Sequence, residues 1–194
     1  LPTDVLALLA ELNKKTNLWV ELGLQTADAQ SAAFIRRGYP LSVFTQAVYA
    51  LAERNIPVVV HIILGLPGES RETVLRTIDY LNRLPIQGVK LQLLHVLSDS
   101  DLADLYRAGE YTPLEKEEYL TLVGDCIAHL RADIVLHRLT GDGDKNTLLA
   151  PLWSLRKRDV LNHLHRYLKE NHIRQGMSCK IDLSVIYNKP KDVL

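Results

Sequence analysis

Titratable and amide side chains interrupt four apolar runs of this chain, and the chemistry open to them depends on where each run ends. The first, Glu21-Leu22-Gly23-Leu24-Gln25-Thr26, sets a carboxylate inside an apolar run and an amide and a hydroxyl just past it. A carboxylate taken out of water needs a cation, an imidazole or a ligand hydroxyl as partner. The second, His61-Ile62-Ile63-Leu64-Gly65-Leu66-Pro67-Gly68-Glu69-Ser70, places an imidazole in the run and two glycines beyond it. Such a turn lets backbone approach a planar or phosphate-like group, but no Gly-Lys-Ser or Gly-Lys-Thr follows, so it is not a nucleotide P-loop. The third and fourth, Gln92-Leu93-Leu94-His95-Val96-Leu97 and Leu136-His137-Arg138-Leu139-Thr140-Gly141-Asp142-Gly143-Asp144, add two imidazoles and a guanidinium. Brought to one rim, Glu21, His61, His95, His137 and Arg138 would suit general acid–base work, with Glu21 orienting an imidazole base. Three imidazoles and a carboxylate also suit zinc or iron. Against a metal, the three histidines come from separate runs, and His163 and His165 fall on opposite sides of the last helix.

The elements that must position these groups follow from periodicity. Leu18–Leu24, Val58–Leu64, Val89–Val96 and Asp133–Leu139 read as strands of nearly continuous Val, Ile and Leu, which predicts a parallel sheet buried on both faces by helices. Between them lie helices at Val5–Leu12 behind an N-cap at Thr3, Ser31–Arg37 ending at Gly38, Val43–Arg54, and Thr73–Leu84 behind Ser70 and before Pro85. Thr112-Pro113-Leu114-Glu115 reads as a capping box that launches a helix to about Arg131, and a last helix spans about Lys157 to Asn171. Strands alternating with helices predict repeated right-handed βα units, an α/β fold. Four strands are too few to close a barrel, so the expected architecture is a partial (βα) barrel of parallel strands, the C-terminal half of a larger one. Residues 1–176 form that unit, and residues 177–194 a tail in which Ile181–Tyr187 is either an added strand or an ordered extension.

Lys plus Arg and Asp plus Glu each number 23, so the net charge is zero and no global field favours nucleic acid. A local basic surface is still available on the last helix, where Arg156, Lys157, Arg158, His163, His165, Arg166 and Lys169 would either meet phosphates or form a solvated face. Trp19 and Trp153 read as packing residues. The two cysteines, Cys126 and Cys179, are far apart, which fits neither a disulfide framework nor a metal motif and suggests a reducing cytoplasm. No apolar run reaches the length of a membrane span.

The combination of Glu21-Leu22-Gly23-Leu24-Gln25-Thr26, Arg37-Gly38-Tyr39 and His61-Ile62-Ile63-Leu64-Gly65-Leu66-Pro67-Gly68-Glu69 resembles the fourth and fifth strands of radical S-adenosylmethionine (radical SAM) enzymes, nearest to the iron–sulfur oxidoreductases related to the Elongator catalytic subunit. His137-Arg138-Leu139-Thr140-Gly141-Asp142-Gly143 and Leu148-Leu149-Ala150-Pro151-Leu152-Trp153 resemble a bacterial subfamily of that group. The resemblance implies a barrel of six βα units. It also implies a [4Fe–4S] cluster on a CxxxCxxC loop, and S-adenosylmethionine cleaved to a 5′-deoxyadenosyl radical. By position it implies Glu21 and Gln25 near the ribose and methionine parts of that cofactor and Arg37 at its carboxylate. Ile63 to Gly65 would line the adenine, with Leu97 flanking it. His61, His95, His137 and Arg138 would then be substrate-side groups. No CxxxCxxC occurs here, so this chain by itself is expected to lack the cluster and to be inactive.

Partners expected on this reading are the N-terminal half of the barrel, a tRNA or a small-molecule substrate, and a second copy of the chain through an exposed sheet edge. Two other readings compete with it. One is an α/β hydrolase or lyase using a rim histidine as base; the other is a non-enzymatic interaction module.

Overall fold

In the computed structural model, which describes residues 1–181, four parallel strands lie in the order β1-β2-β3-β5: β1 (Val20–Gln25), β2 (Val58–Leu64), β3 (Gly88–Leu93) and β5 (Val135–Arg138). Chain order and spatial order coincide along this sheet, as successive βα units require. The helices between them are α1 (Thr3–Asn13), α2 (Ala29–Phe34), α3 (Leu41–Ala52), α4 (Arg71–Leu81), α5 (Asp101–Arg107), α6 (Lys116–His129) and α7 (Lys157–Glu170). Two short strands, β4 (Val96–Leu97) and β6 (Leu148–Ala150), pair antiparallel outside the main sheet and lead into a 3₁₀ turn at Leu152–Leu155.

The sheet is covered on one face only, contrary to the expectation of two buried faces. Leu24, Val58, Val60, Ile62, Leu64, Val89, Leu91 and Leu93 belong to one apolar cluster with Phe44, Val48, Leu51, Val74, Ile78, Leu81, Tyr119, Val123 and Leu130 of the helices. Each such side chain contributes roughly 1.5–3 kcal/mol of burial. The alternate residues form the other face: Glu21 beside Val59, Gly23 beside His61, His61 beside Lys90, and Ile63 beside Gln92. Hydrophobic runs such as Val58-Val59-Val60 hide this alternation, because Val59 is dry even on the polar face.

Several boundaries move for local reasons. The run Val89–Val96 is divided, β3 ending at Leu93 and β4 starting at Val96, so His95 sits in the break. The cap of α6 lies three residues later than expected. Glu115 is the N-cap, its side chain taking the N3 backbone N–H while Glu118 accepts from the Glu115 N–H at 2.9 Å, a reciprocal box in which glutamate does the work assigned to threonine. At the first helix the N-cap is Pro2 rather than Thr3. Ser70 does cap α4, accepting from the Thr73 N–H.

The α6–β5 corner is tied from three sides. Arg131 is fully buried, with Nη1 donating to Asn82 O at 2.9 Å and Nε 3.1 Å from Asp133. The Asn82 side chain bridges His129 O and the Arg131 N–H, and Gln175 Nε2 donates to the carbonyls of Arg131 and Ile134 at 2.7 and 2.6 Å. Of the tail expected at 177–194, only residues 177–181 are among those described, where Ser178 N–H donates to Ala128 O; the apolar stretch Ile181–Tyr187 lies outside them apart from its first residue.

Candidate functional site

On the uncovered face, a polar network is assembled from three adjacent strands. The Lys90 ammonium donates to both oxygens of Glu21 at 2.6 Å, and His61 Nε2 lies 2.6 Å from Glu21 Oε2. Trp19 Nε1 reaches Glu21 Oε1 at 3.3 Å, and Gln92 Nε2 lies 3.2 Å from His61 Nδ1. The Lys90 ammonium holds the Glu21 carboxyl far below its ordinary 4.5, at about 2, with His61 and Trp19 assisting against the cost of burial. An ionised Glu21 only accepts, so His61 carries its proton on Nε2 and accepts from Gln92 on Nδ1. Both ring nitrogens of His61 are therefore used. Nothing within Gly88-Val89-Lys90-Leu91 marks Lys90 as a site residue, and only the pairing of β2 with β3 brings it beside His61.

His137 lies at the amino end of this face, not at the rim. Its ring occupies the space over Gly88, where a Cβ would stand 2.6 Å from two ring atoms, and it lies 6.4 Å from the ring of Trp19. Trp19 is half exposed and bridges toward His137, so it is less buried than its reading as a packing residue implies. Trp153 does pack, against Tyr119, with its N–H on Leu114 O.

At the carboxyl ends of the strands, the first two junctions meet. Thr26 donates to Glu69 at 2.5 Å and accepts from the Asp28 N–H. Burial raises the Glu69 carboxyl above its ordinary value. Arg37 donates to Leu24 O at 3.2 Å, to Thr26 O at 2.6 Å and to Tyr39 O at 3.1 Å, with its guanidinium over the Tyr39 ring, so it braces the end of β1. The Tyr39 hydroxyl in turn donates to Gly23 O. Gln25 has φ +60° and folds back over Gly23, its amide within reach of the Leu24 and Gly23 carbonyls. Gly65, at φ +90°, needs glycine twice over: for that backbone angle, and because Leu114 stands 3.1 Å from where a Cβ would be. Its carbonyl accepts from Tyr111 at 2.8 Å. Ile63 is half-buried beside Gln92, and Leu97 lies in β4 on Leu148.

His95 stands apart from the network, in the break after β3. Its Nε2 lies 3.1 Å from Ser154 Oγ, and its ring fits against Gly141 and Gly143, whose added Cβ atoms would stand 2.6 and 3.3 Å from it. Arg138, beside Lys90 in the sheet, points to Asp142 at 3.5 Å, and Asp142 is held more firmly by Lys157 at 2.7 Å. The five residues expected at one rim are thus split into a mid-strand pair, an amino-end histidine, and a carboxyl-end His95 with Arg138 nearby. Among the described residues no three His, Cys, Asp or Glu side chains are placed to hold a metal. On the last helix His165 is exposed, whereas His163 and Asp159 are drawn to Lys116.

This geometry has known relatives. Residues 1–81 match the radical SAM superfamily model, and residues 86–170 match the radical SAM C-terminal domain model. The Bacillus subtilis protein YtqA is 37% identical over 176 residues, covering 91% of this chain and 55% of YtqA. A tRNA uridine(34) acetyltransferase of Methanocaldococcus jannaschii is 21% identical over 174 residues, 88% of this chain and 32% of that protein. The Methanocaldococcus infernus Elp3 structure with an N-terminal deletion superposes with a TM-score of 0.72 at 17% identity, over 86% of this chain and 39% of that one, and shares its fold. The chain belongs to the radical SAM superfamily.

Within that superfamily the four strands are part of a barrel, and the chain spans about half the length of the curated relatives it matches. Membership implies S-adenosylmethionine and a [4Fe–4S] cluster in the parent protein. The cysteines of this radical SAM chain do not fit such a cluster, which takes three thiolates besides its open iron. Cys126 is fully buried and its thiol is pushed well above the ordinary range, while Cys179 is isolated from it in the tail. No described helix is long and apolar enough to cross a membrane.

Proposed function

We propose that this chain supplies the C-terminal, substrate-side part of a radical SAM enzyme, whose cluster is carried by a segment outside these residues. The observation that carries the reading is the succession of the two radical SAM models along a chain that has only two cysteines. On this reading Gln25, Ile63 and Gly65 face the S-adenosylmethionine, and Arg37 contributes by fixing the end of β1 that carries Gln25. Bound S-adenosylmethionine would supply a 5′-deoxyadenosyl radical. The chain's own contribution is the wall that orients cofactor and substrate and keeps bulk water from the reacting centre. We favour a tRNA base as the parent's substrate, supported by the similarity to a tRNA uridine acetyltransferase. The reducing cytoplasm suits its two free cysteines.

The test is anaerobic expression of this chain alone and of the longer protein that continues it with a CxxxCxxC segment. Iron content, electron paramagnetic resonance and 5′-deoxyadenosine release from S-adenosylmethionine under dithionite are then compared. The expected result is cluster and 5′-deoxyadenosine for the longer protein and neither for this chain. A longer protein that binds iron but releases no 5′-deoxyadenosine overturns the reading. If the chain alone sediments as a dimer, its β1 edge, unpaired among the described residues, is the interface to examine first.

A further inference from the structure

His95 differs from every other histidine expected at the site in having one nitrogen engaged and one open. Ser154 has a single hydroxyl hydrogen, and its Oγ lies 2.8 Å from Pro151 O, which only accepts. That hydrogen is therefore spent on Pro151, and Ser154 must accept from His95 Nε2 at 3.1 Å. The proton of the neutral imidazole is thus on Nε2, and the lone pair is on Nδ1. Among the described side chains nothing donates to Nδ1. Among the described residues His95 Nδ1 is not one of the buried side-chain atoms that lack a hydrogen-bond partner, so those residues do not seal it off.

What opens that nitrogen is a glycine. A Cβ on Gly141 would stand 3.1 Å from Nδ1 and 2.6 Å from Cε1, closing the space in front of the lone pair. The charged groups around the ring neutralise one another: Asp142 is tied to Lys157 and, more loosely, to Arg138. Burial pushes the His95 imidazole below its ordinary range, against the opposing pull of Asp142, so it is neutral at pH 7. Carboxyl ends of parallel strands are where ligands gather in such folds.

We propose that His95 is a binding residue of the rim, with Nδ1 accepting a hydrogen bond from an N–H or O–H group of the substrate. A substrate lacking that donor would leave the acceptor unpaired, which makes His95 a specificity-determining group. The role on the substrate side rests on the reading of the chain as a radical SAM wall. Its test needs neither cluster nor S-adenosylmethionine, so either can fail without the other.

The experiment uses the full chain labelled with ¹⁵N-histidine. Long-range ¹H–¹⁵N spectra at pH 7 are expected to show His95 as the Nε2–H tautomer, and a protonated Nδ1 overturns the proposal. Diethylpyrocarbonate, which attacks unprotonated accessible imidazole nitrogen, is expected to modify His95 about tenfold faster than His61, the factor that one ordinary hydrogen bond is worth. Equal or slower modification overturns it. Uracil, with two N–H donors, is expected to slow that modification at millimolar concentration, whereas 1,3-dimethyluracil leaves it unchanged. Protection by neither or by both sinks the acceptor role. Gly141→Ala is expected to abolish the modification; because it can also unfold the rim, Ser154→Ala serves as the second variant. There the ring is released to exchange between tautomers, a spectral change that a purely packing role would not produce.

Discussion

His61 lies within β2 and His95 just beyond the end of the neighbouring β3, under opposite conditions. His61, midway along β2, gives its proton to Glu21 and takes one from Gln92, with Lys90 neutralising the carboxylate. His95, two residues past the end of β3, is braced on one side by Ser154 and left open on the other. The first arrangement uses every valence on the protein itself, so its contribution is to stability and to the register of β1, β2 and β3. The second reserves a valence, and its contribution is to recognition. A histidine in a site earns a functional reading from what its second nitrogen lacks, more than from being a histidine.

The contrast is broken most forcefully at Lys90. Lys90→Met leaves the Glu21 carboxylate without its principal donor and is expected to lower stability by about 1.5–3 kcal/mol, the range for hydrogen bonds to charged groups, read as a lower urea midpoint with unchanged m. Adding Glu21→Leu should recover part of that loss, because it removes the charge left unpaired. Next in size is Gly88→Ala, whose methyl must displace the His137 ring at an expected expense of about 1–2 kcal/mol. His137→Ala in the same chain should relieve it, and a double-mutant cycle without coupling would refute the contact. Ser154→Ala is expected to change stability by only about 0.5–1 kcal/mol, even though it alters the His95 tautomer. Were it to cost more than Lys90→Met, the division between a stabilising network and a recognising rim would fall.

The smallest effect is acid titration. Because Glu21 titrates at about 2 in the folded chain against an ordinary 4.5, its share of stability is complete above about 4.5 and is lost as pH falls from there toward 2. Protonation leaves Glu21 still able to accept from Lys90, unlike the loss of Lys90 itself, and with more than a third of the Glu21 side chain exposed, screening reduces the charge-dependent share further. The slope of melting temperature against pH in this window should be shallower in Glu21→Gln, and an identical slope would show that other carboxylates govern it.

The strands were legible in the sequence because their outward residues are nearly all Val, Ile and Leu, and β2 was placed at its observed bounds, Val58–Leu64. The one-sided cover of the sheet was hidden for the same reason: Val59 is dry on the polar face, so the run Val58-Val59-Val60 carries no period of two. The pairs β4 and β6 are two and three residues long, too short to leave any period. The helix α5 leaves little trace in the sequence because Asp101–Arg107 is only two turns long and fully buries only Ala103, with Leu102 and Leu105 partly covered. Glu21 was expected to need an imidazole or a cation and has both, yet Lys90 could be found only through register, since nothing within its own strand marks it. The rim as a convergence of five residues failed because strand identity says which end a residue is near only after the ends are known: His137 lies one residue before the end of β5 but curls back over Gly88.

The Arg131 corner has a consequence for the order in which the molecule is completed. The carbonyls of Arg131 and Ile134 accept from Gln175, a residue 44 and 41 positions further along. As the chain leaves the ribosome, α6 and β5 emerge with Arg131 O taking only the nearby Ile134 N–H and Ile134 O left to water, and β6 and all of α7 are synthesised before Gln175 arrives. The turn that leads into the sheet's last strand is thus completed late in synthesis, by Gln175, which closes a vectorial process from beyond α7.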